Sequence, residues 1–231
     1  MLPRELEPEV MDTEAEARDY DAMDFAEVNR AFVADFCRVW DTSAPVLDVC
    51  TGSARIPIEL IRQHPGADLC VVAVDLADHM LTLARRNVEA AGLAHRISVT
   101  PADAKQLAFP DEQFGAVICN GSVHHIPDPF ACFAEMHRVC RRGGTIFVRD
   151  LFRPADRELL TRLVQTYAAG ANDHQRAMFA ASLRAALTPD EVRAAVARLG
   201  YGPETVQQTS DRHWTWSAIR SYYFGKEVAQ N

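Results

Sequence analysis

The chain has 231 residues, 48% of them apolar, and a formal charge of −8. That length supports one domain with a large core, and the apolar share excludes a mainly disordered chain. The acidic balance excludes a broad nucleic-acid face, which needs clustered basic residues, and no apolar run is long enough to cross a bilayer.

Residues Met1 to Asp21 are rich in acids and prolines, without the basic start and apolar middle of a secretion signal, so a cytoplasmic location is expected. Asp24 to Trp40 has helical spacing, with Phe25, Val28, Phe32, Val33, Phe36 and Trp40 on one stripe and Asp21 or Asp24 as cap. After Pro45, helix and strand signals alternate. Strands are expected at Val46 to Cys50, Leu69 to Val74, Arg96 to Thr100, Phe114 to Asn120 and Thr145 to Asp150. Helices are expected at Ala54 to His64, Ala77 to Ala91 and Pro129 to Cys140, with Gly143-Gly144 as a turn. Short apolar strands separated by helices indicate a doubly wound, mostly parallel sheet covered on both faces.

Beyond Asp150 the pattern changes. Arg157 to Ala169, His174 to Leu187 and Pro189 to Leu199 read as helices, the last with Thr188 as cap and Glu191 three residues later. Thr205 to Thr209 and His213 to Ile219 read as a terminal hairpin, with Trp214 and Trp216 sharing one face and His213 and Thr215 the other. The division expected is an arm and lid helix over 1–44 and a main domain over 45–231, with a helical insert near 154–200.

The cysteines, Cys37, Cys50, Cys70, Cys119, Cys132 and Cys140, form no C-x-x-C pair and are expected to be reduced. Cys50 and Cys119 should lie close together if the strand order holds.

Four segments carry the chemistry. Asp48-Val49-Cys50-Thr51-Gly52-Ser53-Ala54-Arg55 runs from strand through a tight turn into a helix, where backbone amides can face a nucleotide-like ligand. Asp75 ends the second strand, about 20 residues after Gly52, the spacing of an acid that accepts from ribose hydroxyls. Asp103, after the third strand, can accept from an adenine amino group. Asn120 to Ile126 follows the fourth strand. In a doubly wound sheet these strand ends face one crevice. A dinucleotide fingerprint is not supported, because Gly52 lacks the matching glycines.

Over Pro45 to Arg153 the sequence resembles the class I S-adenosylmethionine-dependent methyltransferases, and is similar to the small-molecule branch of ubiquinone and menaquinone biosynthesis enzymes. His124-His125-Ile126-Pro127-Asp128 and Arg142-Gly143-Gly144-Thr145 carry the likeness beside the four segments above. The resemblance implies a Rossmann-like seven-stranded α/β fold with an antiparallel strand in the C-terminal hairpin. It implies S-adenosyl-L-methionine as cofactor, S-adenosyl-L-homocysteine as product, and methyl transfer to a small molecule by in-line displacement. It places Asp48, Cys50, Thr51 and Gly52 around the methionine part, Asp75 and Leu76 at the ribose, Met80, Asp103 and Ala104 around the adenine, and Asn120 at the amino group. The family loop usually reads acid-x-Gly-x-Gly-x-Gly, and here Cys50 and Ala54 replace the first and third glycines.

His125 and Asp150 are the candidate bases. Tyr20, His125, Arg149, Arg153 and His213 are candidates for acceptor binding, with Arg212, His174 and Arg176 behind them. The arginines beside Asp150 point to an acceptor carrying an anionic group. His124, His125 and Asp128 are read as loop residues, with no metal. No nucleic-acid or membrane partner is expected, and the assembly is expected to be a monomer or homodimer. Competing readings are a noncatalytic cofactor-binding protein, and an enzyme of the same fold that transfers an aminopropyl group or uses a modified sulfonium.

Overall fold

The computed structural model describes residues 1–8, 25–66 and 68–221. Its elements run α1 (Ala26–Cys37), β1 (Val46–Val49), α2 (Arg55–Gln63), β2 (Val71–Asp75), α3 (Asp78–Ala90), β3 (Ile97–Pro101), β4 (Phe114–Asn120), α4 (Pro129–Val139), β5 (Cys140–Leu151), α5 (Arg157–Tyr167), α6 (Asp173–Ala185), α7 (Pro189–Ala197), β6 (Val206–Gln208) and β7 (His213–Ile219). The seven strands form one sheet in the order β3-β2-β1-β4-β5-β7-β6. The first five are parallel, and β7 runs antiparallel to both β5 and β6. The strand order reverses between β1 and β4, which opens a crevice at their carboxyl ends.

Alternation along each strand divides the core into two layers. Leu47, Val117, Ile146, Val148, Trp214 and Trp216 face Phe133 and Met136 of α4 and Val192 and Val196 of α7. Val46, Ala116, Ile118 and Phe147 face Phe32, Val33 and Phe36 of α1, Leu60 of α2 and Val88 of α3. The tryptophan pair is therefore core, as the hairpin alternation implies. The expected stripe of α1 supplies three fully buried residues, Phe32, Val33 and Phe36, to this second layer. The caps expected for α1, Asp21 and Asp24, lie outside the described residues.

Several boundaries differ from the sequence reading by a residue or more, among them the following three. β2 runs from Val71 to Asp75, two residues later at its start, which makes Asp75 a strand residue paired with Pro101. β5 begins at Cys140, not Thr145, and Gly143-Gly144 lies inside it. The register with β4 shifts between Phe114 and Ala116. A Cβ on Gly144 would lie 2.7 Å from the Gly115 carbonyl, so this glycine serves close strand approach rather than a turn. The helix expected from His174 to Leu187 instead ends at Ala185, capped at its start by Asn172 and Gln175. The Thr188–Glu191 capping box is present as expected. Among the described residues no helix is long and apolar enough to cross a membrane.

Candidate active site

The loop between β1 and α2 has an unusual backbone. Cys50, Gly52 and Ala54 have φ of 57°, 55° and 61°, so every second residue is left-handed. An L side chain there costs roughly 1–2 kcal/mol. These are the positions where the family pattern carries three glycines, so Cys50 and Ala54 keep the glycine-type conformation without glycine. The loop is braced by its neighbours. Thr51 donates its amide to the Val74 carbonyl at 2.8 Å and its hydroxyl to Asp48 Oδ2 at 2.5 Å. Asn87 of α3 donates to the Ser53 carbonyl at 3.0 Å.

Asp75, at the end of β2, accepts from the Gly52 amide at 2.8 Å and the Ala77 amide at 3.0 Å. Each oxygen is thus held by one backbone donor while the carboxylate borders the crevice. Asp103 accepts from the Lys105 amide at 2.8 Å and pairs with its ammonium at 2.9 Å. Burial would raise its carboxyl, but these contacts with Lys105 outweigh that and hold it low. Ser122 donates within 3.3 Å of both the Cys50 and Asn120 carbonyls, which ties the β1 and β4 loops together.

These loops enclose a cavity of about 1050 Å³, counting the open space at its mouth. All ten positions expected at the cofactor line it: Asp48, Cys50, Thr51 and Gly52 from the first loop, Asp75, Leu76 and Met80 from the second, Asp103 and Ala104 from the third, and Asn120 from the fourth. Asp48 is almost fully buried. Burial, reinforced by the charge of Asp75 and opposed by the Thr51 hydroxyl, pushes its carboxyl up to about 7. The thiol of Cys119 neighbours Cys50, as the strand order implied, and that neighbour together with burial raises it.

The residues expected around the acceptor are more scattered. His125 lines the cavity, but its Nδ1 faces Glu7 Oε2 at 3.4 Å and its ring also bonds the Pro8 carbonyl. Burial, with the neighbouring His124 charge, pushes it down to about 3. Asp150 does not line the cavity. Its carboxylate is buried and accepts from the amide and ring of His124 and from the Leu151 amide. Strand alternation turns Arg149 onto the α1 face, where it pairs with Asp35 and Thr215. Arg153 is held by Glu191 and the Ala186 carbonyl, and His213 bonds Ser210. Arg212 stacks on Tyr167, Arg176 donates to the Ala168 and Ala171 carbonyls, and His174 is exposed. None of these lines the cavity, so the arginine cluster that pointed to an anionic acceptor is engaged elsewhere. Tyr20 lies outside the described residues.

Phe25, Asn29, Arg55, Lys105 and Ser122 also line the cavity and were not singled out from the sequence. Arg55, Lys105 and Ser122 each stand within or beside a segment already marked, so loop proximity was the available signal. Phe25 and Asn29 arrive from α1, which no local pattern connects to the strand ends.

The chain matches known proteins over the same region. Residues 46–144 fit the family described as a methyltransferase domain. A ubiquinone/menaquinone biosynthesis C-methyltransferase of Geobacter sulfurreducens is 30% identical over 131 residues, covering 57% of this chain and 50% of that protein. A demethylmenaquinone methyltransferase of Geobacillus stearothermophilus is 33% identical over 108 residues, covering 47% and 45%. The matched stretch thus spans about half the length of these curated relatives. The crystal structure of a SAM-dependent methyltransferase from Aquifex aeolicus superposes with a TM-score of 0.64 at 15% identity, covering 89% of this chain and 97% of that one. The strand order and the match over residues 46–144 identify a class I S-adenosylmethionine-dependent methyltransferase domain in this chain, distantly similar to the quinone-pathway C-methyltransferases.

Proposed function

We propose that the protein transfers the methyl group of S-adenosyl-L-methionine to a small-molecule acceptor by in-line displacement. The observation that carries this reading is the convergence of four strand-end loops on one cavity, with carboxylates from three of them on its wall. The donor set suits an adenosyl sulfonium. Asp75, held by two amides, places its carboxylate on the wall where ribose hydroxyls would lie, and Met80, Ala104 and Ile126 offer an apolar slot for a flat ring. When bound, the cofactor supplies a methyl group already activated by its sulfonium.

The chain's own work is then alignment and exclusion of water, which can supply much of the rate. Proton removal is less well provided for. Both ring nitrogens of His125 are directed at the N-terminal segment, and Asp150 is committed to His124. This favours an acceptor that needs little base assistance, such as an electron-rich carbon, and the carbon-methylating relatives agree with that class.

Calorimetry with S-adenosyl-L-methionine and S-adenosyl-L-homocysteine tests the cofactor, and labelled methyl transfer over a panel of phenols, quinols and enols tests the acceptor. Binding of both ligands with label appearing in a carbon product is the expected result. A folded protein that binds neither ligand would overturn the reading.

A further inference from the structure

Beneath residues 1–8, on the flank of the cavity, lies a second group of side chains that methyl transfer does not use. His124 is 4% exposed, and its Nδ1 meets Asp150 Oδ1 at 2.7 Å. Its Nε2, the nitrogen available to ligate when the ring is neutral, lies 3.8 Å from Glu7 Oε2. The ring of His125 bonds the Pro8 carbonyl, and its Nδ1 has no hydrogen-bond partner. That Nδ1 faces Glu7 Oε2 at 3.4 Å. Glu7 Oε2 is itself buried without a hydrogen-bond partner, while Ser182 donates to the other oxygen at 3.3 Å.

A nitrogen of each imidazole and a carboxylate oxygen thus converge, all within 4.8 Å of one another. Glu7 Oε2 and His125 Nδ1 are both buried without a hydrogen-bond partner, which is costly. A cation resolves this arrangement. We propose that Glu7, His124 and His125 bind one divalent transition-metal ion, with Zn²⁺ the best match to the donor set.

Ligands at the usual Zn–N and Zn–O lengths in a tetrahedron stand about 3.4 Å apart, close to the separations from Glu7 to the two rings. Two histidines and one carboxylate are a recurrent ligand set for such ions. Asp150 supplies the outer contact that ligating histidines usually have, fixing the tautomer and orientation of His124. Charge also agrees. Arg4 donates to the His124 and Ile126 carbonyls, and Glu7, Asp150 and Arg4 with neutral imidazoles leave one net negative charge beside the site. Asp128, the acid nearest in sequence, is not involved, because it caps α4 through the Phe130 amide. The ion would clip the N-terminal segment onto the loop after β4, where one of its ligands, His125, is also part of the cavity wall.

The test uses the full chain stripped with a chelator and titrated with Zn²⁺ by calorimetry, and with Co²⁺ by visible absorption. One ion per chain, micromolar or tighter, with cobalt d–d bands, is the expected result. Glu7→Gln should weaken binding at least tenfold without loss of the folded circular dichroism. His174→Gln, at an exposed histidine of α6, should leave affinity unchanged. A folded wild-type chain that takes up no stoichiometric metal, or a Glu7→Gln variant with wild-type affinity, would overturn the site. Metal uptake is read apart from methyl transfer, so either reading can fail alone.

Discussion

The carboxylate of Asp150 accepts from both the backbone amide and the ring Nδ1 of His124, each at 2.7 Å. Both residues are buried, and the pair joins the end of β5 to the turn after β4. Burial alone would raise the Asp150 carboxyl, but the His124 charge and these hydrogen bonds hold it low. This makes Asp150 a fastener of the loop rather than a free base.

Asp150→Asn should therefore act first on stability. It removes charge-assisted bonds from a buried histidine, at a cost of about 2–4 kcal/mol. Urea denaturation at pH 7 checks this. A variant as stable as the wild type, yet catalytically dead, would return Asp150 to the chemistry.

Asp75→Ala removes a side chain bonded to both the Gly52 and Ala77 amides. Losing two charge-assisted contacts to ribose hydroxyls should weaken S-adenosyl-L-methionine binding by roughly 100-fold or more. The amides border an open cavity and can be hydrated, so stability should fall by less than about 1.5 kcal/mol. Calorimetry together with thermal melting separates the two effects.

Asp48 predicts a pH dependence. Its folded carboxyl is raised to about 7 from an ordinary value of 3.8, so between those values the folded state holds a proton that the unfolded state has lost. Its contribution to stability is full below about pH 4 and is lost as pH rises through 7. Comparing wild type with Asp48→Asn isolates this from other groups. The wild type should lose stability relative to the variant between pH 5 and 8, by about 1–3 kcal/mol. Parallel melting curves across that range would rule out the raised carboxyl.

Arg149 and Asp35 make an asymmetric pair. The guanidinium is buried between the rings of Phe32 and Phe147 and bonds Asp35 at 2.8 Å, whereas Asp35 is about one-third exposed. Removing the acid strands a buried cation, and Asp35→Ala should cost about 2–3 kcal/mol. Arg149→Met replaces the cation by apolar volume and leaves an acid that water can reach, so it should cost less than about 1.5 kcal/mol. Chemical denaturation of both variants checks the order.

Much of the cofactor-side wall was legible because each part is local. Gly52, Asp75, Asp103 and Asn120 each sit where a strand stops and a loop begins, and that boundary shows in hydrophobic run length and turn chemistry. The glycine pair of β5 misled for the same reason. Gly143-Gly144 has turn chemistry, yet it is pressed against β4, a contact between residues that local patterns do not link.

By itself the sequence determined the alternation of strands and helices, the faces that Trp214 and Trp216 occupy, and the strand-end residues that line the cavity, because these follow from periodicity and near-neighbour chemistry. Only the tertiary structure decided what each polar group is bonded to. Arg149 meets Asp35 across 114 positions, and Glu7 meets His124 and His125 from the far end of the chain. A charged side chain takes whichever partner folding brings within a few ångströms, and that depends on how helices pack over the sheet rather than on the residues beside it.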